Sequence, residues 1–112
     1  MSTHIFINSE VACKFSTSVF ASLCFAIEET IEERKIDLPI DVKNLVNRMN
    51  LEKYTCPFLD IDDYLVTQAG IRIFLDILEE SIYRLRSKLV EKAIDDLWKL
   101  HSRLAKYCES LN

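Results

Sequence analysis

Carboxylates are the side chains of this 112-residue chain whose types and spacing could do chemistry. Glu28, Glu29, Glu32 and Glu33 fall in one run, Asp60, Asp62 and Asp63 in a second, and Asp76, Glu79 and Glu80 in a third. At three- and four-residue spacing on a helix, such side chains occupy adjoining rows of one surface. Hard oxygen ligands so arranged can hold Mg²⁺ between substrate phosphates. Without a metal they create a negative field that speeds encounter with a basic protein and penalises wrong partners. The bland use of the same pattern is a solvated helix face.

Other chemistries lack their parts. His101 has no acid or second histidine one turn away, and His4 stands alone near the start, so no zinc spacing and no Glu-x-x-His pair is present. Cys13, Cys24, Cys56 and Cys108 are not closely spaced, which predicts free buried thiols rather than two bridges. A cysteine nucleophile would need a base and an orienting group beside it, and nothing in the sequence brings either histidine to a thiol. Gly70 is the only glycine, so a glycine-rich phosphate loop is excluded. The expectation is a non-enzymatic protein with no catalytic residues, metal or cofactor.

The elements that must position the acids read as all-α. With 49% hydrophobic residues, one glycine and two prolines, the composition suits a single-domain antiparallel helix bundle of four to five helices over residues 1–112. The pattern is organised around Ile71 to Leu111, where Ile71, Leu75, Leu78, Ile82, Leu85 and Leu89 mark one helical stripe. The stripe continues through Leu97, Leu100 and Leu104 after a shift of register between Leu89 and Leu97. One unbroken helix there would be about 60 Å long, against a radius of gyration of roughly 13 Å for a compact chain of this size. Two antiparallel helices are therefore expected; the other arrangement is a protruding rod that self-associates, giving a scaffold-like homodimer.

Upstream, His4 to Ile7 reads as an apolar stub, with Asn8 or Ser9 capping a helix from Glu10 to Arg34. Pro39 closes a connector before a short helix, Ile40 to Met49. Leu51 to Leu59 lacks periodicity and reads as a loop, and Asp60 as the cap of a further helix with Asp62 and Asp63 in its first turn.

Net charge is −4 and unevenly spread: residues 1–80 hold 14 acids and 7 bases, residues 81–112 hold 4 and 7. An acidic first part disfavours nucleic acid and favours a basic partner. Arg84, Arg86 and Lys88 are interleaved with acids and read as the outer face of an amphipathic helix. No basic leader and no long apolar span is visible, so no membrane segment is expected and the compartment reads as the cytoplasm.

Two resemblances bear on function. Glu28, Glu29 and Glu32 spell Glu-Glu-x-x-Glu, which resembles the first magnesium-binding motif of the MazG-like nucleotide pyrophosphohydrolases. That family implies a Glu-x-x-Asp on a later helix; the nearest match, Asp60 to Asp63, has the wrong first residue. As a small, acidic, helical chain carrying the EETIEE and DIDD runs, the protein also resembles, at the level of class, the immunity proteins bacteria make against contact-dependent toxins. That resemblance implies binding to a cognate basic, nuclease-type toxin whose active site is occluded by carboxylates standing in for phosphates. Glu28, Glu29, Glu32, Glu33, Asp60, Asp62 and Asp63 would supply the contact, with Tyr64, Tyr54 or Phe58 as aromatic anchors.

Overall fold

Ser2 to Ser16 form a β-hairpin, not a stub followed by a helix. The computed structural model describes residues 2–111 and contains a three-stranded sheet and four helices, which corrects the all-α expectation to a mixed α/β fold. β1 (Ser2–Ile7) alternates strictly, with Thr3, Ile5 and Ile7 inward. Asn8 and Ser9 both take positive φ, 52° and 63°, the left-handed pair that closes a two-residue hairpin. They make a turn where two helix caps were expected. β2 (Glu10–Ser16) follows antiparallel, and its register slips opposite Ile5 and Phe6. This bulge turns two consecutive residues, Ala12 and Cys13, inward. The slip breaks the two-residue alternation and leaves Ala12, Phe15 and Val19 at helix-like spacing, which is why the strand passes for a helix in the sequence.

The first helix, α1 (Thr17–Arg34), starts at Ser16, whose Oγ accepts from the Val19 N–H at 3.2 Å. It ends at Lys35 in the left-handed conformation, φ 50°. α2 (Ile40–Leu51) follows Pro39. The stretch expected to be a loop then contributes β3 (Phe58–Asp60), which joins β1 in parallel with Phe58 beside His4 and Asp60 beside Phe6, giving the order β2-β1-β3. Thr3 Oγ1 donates to the Cys56 carbonyl at 2.6 Å, and the His4 N–H donates to the Pro57 carbonyl at 3.1 Å. Residues Ile61–Asp63 form one 3₁₀ turn and do not begin a helix.

The long run does fold back. α3 (Gln68–Leu85) and α4 (Glu91–Ser110) are separated by residues 86–90, at the register shift. Their antiparallel course is marked by Gln68 Nε2 donating to the Cys108 carbonyl at 3.0 Å and, at the other end, by Tyr83 against Trp98 at 5.6 Å. Ile71, Leu78, Ile82, Leu97, Leu100 and Leu104 are all buried in the chain's own core. α1 meets α3 through two buried hydroxyls: Thr30 and Ser81 bond the Ala26 and Ile77 carbonyls and lie 3.4 Å from each other. The radius of gyration is 12.8 Å. None of the described helices is long and apolar enough to cross a membrane.

α2 is fixed to α3 by a buried carboxylate. Asp41, in the first turn of α2, accepts from the Val42 N–H and from Thr67 Oγ1, both at 2.9 Å, and Thr67 caps α3 by accepting from the Gly70 N–H at 3.0 Å. Negative charge is favoured at helix N-termini. Gly70 lies under this carboxylate, and a Cβ there would fall 2.6 Å from Asp41 Oδ1. Gly70→Ala is therefore expected to lower stability by about 1–3 kcal/mol through overpacking. In an Asp41→Ala background the same change should be close to neutral, because alanine is by itself the better helix former. Urea unfolding of the four proteins checks this; equal losses in both backgrounds would contradict it.

Candidate functional site

On α1, Glu29 and Glu33 form one row and Glu28 and Glu32 the row beside it. The fold uses the two rows differently. Glu29 and Glu33 face α3, where Arg84 donates to Glu29 Oε1 at 2.8 Å, to Glu80 Oε2 at 3.2 Å and to Glu33. From the opposite side Arg34 of α1 reaches Asp76 at 2.9 Å and Glu80 at 3.7 Å. Two antiparallel helices that both present carboxylates would repel, and an arginine from each is inserted between them. The hydrogen bond and charge of Arg84 hold the Glu33 carboxyl below its ordinary range. Sequence reading placed Arg84 on an outer basic face; only the antiparallel pairing of α1 with α3 brings it to the glutamates.

Glu28 and Glu32 face α2 and enter no ion pair among the described residues. They line an open groove of about 340 Å³ between α1 and α2, with Ile31, Ile36, Leu38 and Val46 as its apolar surface. Asp37, which the sequence reading left in the connector, adds a third carboxylate, and Lys43 is the one cation in the lining. Asn47 and Asn50 complete the α2 side, and Asn50 Oδ1 is buried without a donor among the described residues.

Asp60, Asp62 and Asp63 lie elsewhere. Asp60 ends β3 beside Phe6, and Asp60 and Asp62 are half-buried while Asp63 is exposed. Asp62 Oδ1 has no donor among the described residues, and its charge adds to burial in raising the Tyr107 hydroxyl pKa. Tyr64 is half-buried, and its hydroxyl accepts from Arg48 Nη1 at 3.1 Å, with the guanidinium 5.7 Å from its ring centre. The same arginine donates to Glu52 at 2.9 Å and to the Phe58 carbonyl at 3.2 Å, so it ties α2 to the segment around β3. Lys43, Asn47 and Asn50 are roughly half a turn of helix from Arg48 and Glu52 at 3.6 residues per turn. The groove and the Arg48–Tyr64 contact thus lie on different flanks of α2.

The chain matches no protein-family model, no curated protein and no solved structure with which it was compared. The Glu-Glu-x-x-Glu stretch is divided between two surfaces, Glu29 toward Arg84 and Glu28 and Glu32 toward α2. Among the described residues no three His, Cys, Asp or Glu side chains are grouped to hold a metal ion. All four cysteines are buried and unpaired. Burial pushes the Cys13 thiol up to about 11 and Cys24 up to about 12, and raises Cys56, far from the thiolate a nucleophile needs.

The aromatic anchors also sort themselves. Tyr54 and Phe58 are 57% and 52% exposed. Phe25 of α1 is 49% exposed, 6.4 Å from the Tyr54 ring and capped by Lys53 Nζ at 4.4 Å. It lies one turn before Glu28 on the same helix, and the apolar periodicity of α1 gives no sign that it faces outward.

The Arg84 contacts carry a pH signature. A carboxyl held below its unfolded pKa contributes stability that is complete above that value, about 4.3 for glutamate, and is lost as the pH falls through the folded value. Arg84→Met is expected to bring the Glu33 titration back up toward the ordinary range and to flatten the acid limb of the stability curve below about pH 4.3. Carboxyl-detected NMR titration reads the first effect and unfolding at several pH values the second. A Glu33 midpoint unmoved by the substitution would contradict the pairing.

Proposed function

We propose that this chain is a non-enzymatic binding protein that neutralises a cognate basic, nuclease-type toxin in the manner of bacterial immunity proteins. The observation that carries this reading is the row of Glu28 and Glu32 on the α1–α2 groove, joined by Asp37 and opposed by Lys43 alone. Carboxylates without intramolecular cations attract a basic surface over a Debye length of about 8 Å at physiological salt. They also carry the charge that a nuclease site evolved to hold on its substrate. Glu29 and Glu33, bound to Arg84, contribute to the surface potential but need no outside cation. Asp60, Asp62 and Asp63 form a second acidic spot, with Phe58 exposed next to it in sequence. Tyr64 acts as the internal support of that segment through Arg48. Phe25 and Tyr54 supply what charge alone does not, an aromatic contact of the kind that concentrates binding energy.

The reading is tested in cells that produce the toxic domain encoded by the neighbouring reading frame. The wild-type chain is expected to protect them, and a Glu28→Lys, Glu32→Lys, Asp63→Lys variant with unchanged circular dichroism is expected to protect poorly. In vitro the variant should associate about ten- to a hundredfold more slowly at low salt, with a smaller difference at high salt. A neighbouring frame without a toxic domain, or protection indifferent to the three reversals, would contradict the proposal.

A further inference from the structure

We infer that the α1–α2 groove seats an amphipathic cationic helix of the partner, an inference that rests on the binding role proposed above and specifies how that site is filled. The groove has the make-up such a helix requires. Its walls are helical rows: Glu28, Ile31 and Glu32 on α1, and Lys43, Val46 and Asn50 on α2. Both rows repeat at three and four residues, the spacing at which a third helix lays its own ridge between two others. Ile31 of α1, Val46 of α2, and Ile36 and Leu38 of the connector give the groove its apolar lining.

Charge selects the sign of the occupant. Glu28, Glu32 and Asp37 outnumber Lys43, and none of the three carboxylates has an ion-pair partner among the described residues. A helix with apolar residues at i, i+3, i+4 and i+7 and lysine or arginine on the flanks would place its seam on Ile31, Leu38 and Val46 and its cations on the carboxylates. An acidic helix would meet three like charges. Asn50 also lines the groove, and its Oδ1 is buried without a donor among the described residues. The lining runs from Lys43 to Asn50 on α2, roughly 11 Å of helix, so about two turns of an occupant engage it.

The test is fluorescence anisotropy of the full chain with three labelled peptides. The first is a lysine–leucine helix with one apolar stripe, the second has the same composition scrambled so that no stripe forms, and the third has glutamate in place of lysine. The first peptide is expected to bind at least about tenfold tighter than the second, with the third not binding. Glu28→Lys with Glu32→Lys should weaken the first peptide by about tenfold or more, and Leu38→Ser, at a half-buried position outside any helix, by several-fold at unchanged circular dichroism. Asp60→Lys with Asp63→Lys, outside the groove lining, should leave it within about twofold.

Equal binding of the striped and scrambled peptides would overturn the seating in the groove while leaving an acidic binding surface in place. Equal loss from the two pairs of reversals would also overturn it, because the attraction would then be diffuse. No binding of the striped peptide overturns it outright. Selective capture of that peptide by a chain that fails to protect cells would remove the toxin reading alone.

Discussion

The Asp41 carboxylate, lodged between the first turns of α2 and α3, is the constraint on which the arrangement of the helices depends. It accepts from the Val42 N–H and from the hydroxyl of Thr67, which itself caps α3 at Gly70. Two helix N-termini share one negative charge, and the absence of a side chain at Gly70 is what lets the carboxylate approach. α1 is fitted to α3 independently, through Thr30 and Ser81 inside and Arg34 and Arg84 outside. The position of α2 relative to α1 follows from these two attachments to α3 together with direct packing of the two helices, where Cys24 Sγ donates to the Met49 carbonyl at 3.5 Å.

The second organising feature is the placement of arginines between acidic helices. Exposed ion pairs of this kind contribute little to stability. Their effect is to sort ten clustered acids into those that have cations within the chain and those that do not. Glu29, Glu33, Asp76 and Glu80 belong to the first group, and Glu28, Glu32, Asp60, Asp62, Asp63 and Glu79 form no ion pair among the described residues. Adjacent residues on one helix thereby take different roles. The functional reading rests on Glu28 and Glu32, on the helix that carries the exposed Phe25 beside Tyr54, because a partner binds where charge is unmet and apolar surface is open.

Much of the helical half was legible from the residues. The stripe from Ile71 to Leu111, its break near Leu89 and its return as an antiparallel pair all follow from periodicity and the length limit of a compact chain. The sheet was hidden for local reasons. β1 alternates in burial over its six residues but not in residue type, since inward Thr3 is polar and Phe6 between Ile5 and Ile7 is apolar; the bulge at Ala12 and Cys13 gives β2 a helix-like spacing, and β3 is three residues next to a proline. Asn8 and Ser9 fit either a cap or a left-handed turn, and only the pairing of the flanking strands decides. At the site, the acids themselves were visible. Their division was not, because the partners Arg84 and Arg34 act across tertiary contacts separated by more than forty residues in sequence. The outward turn of Phe25 was hidden in the same way, by an α1 sequence apolar on most of its circumference.

The central claim is that the face between α1 and α2 receives the cationic partner. Hydrogen exchange of the chain alone and in its complex tests it most directly, because exchange reports protection segment by segment without altering a residue. The account predicts that added protection concentrates in residues 25–38 and 43–54, with the α3–α4 turn at 86–90 unchanged. Protection confined to residues 58–64 or to the 86–90 turn, with the α1–α2 face exchanging as in the free chain, would contradict it.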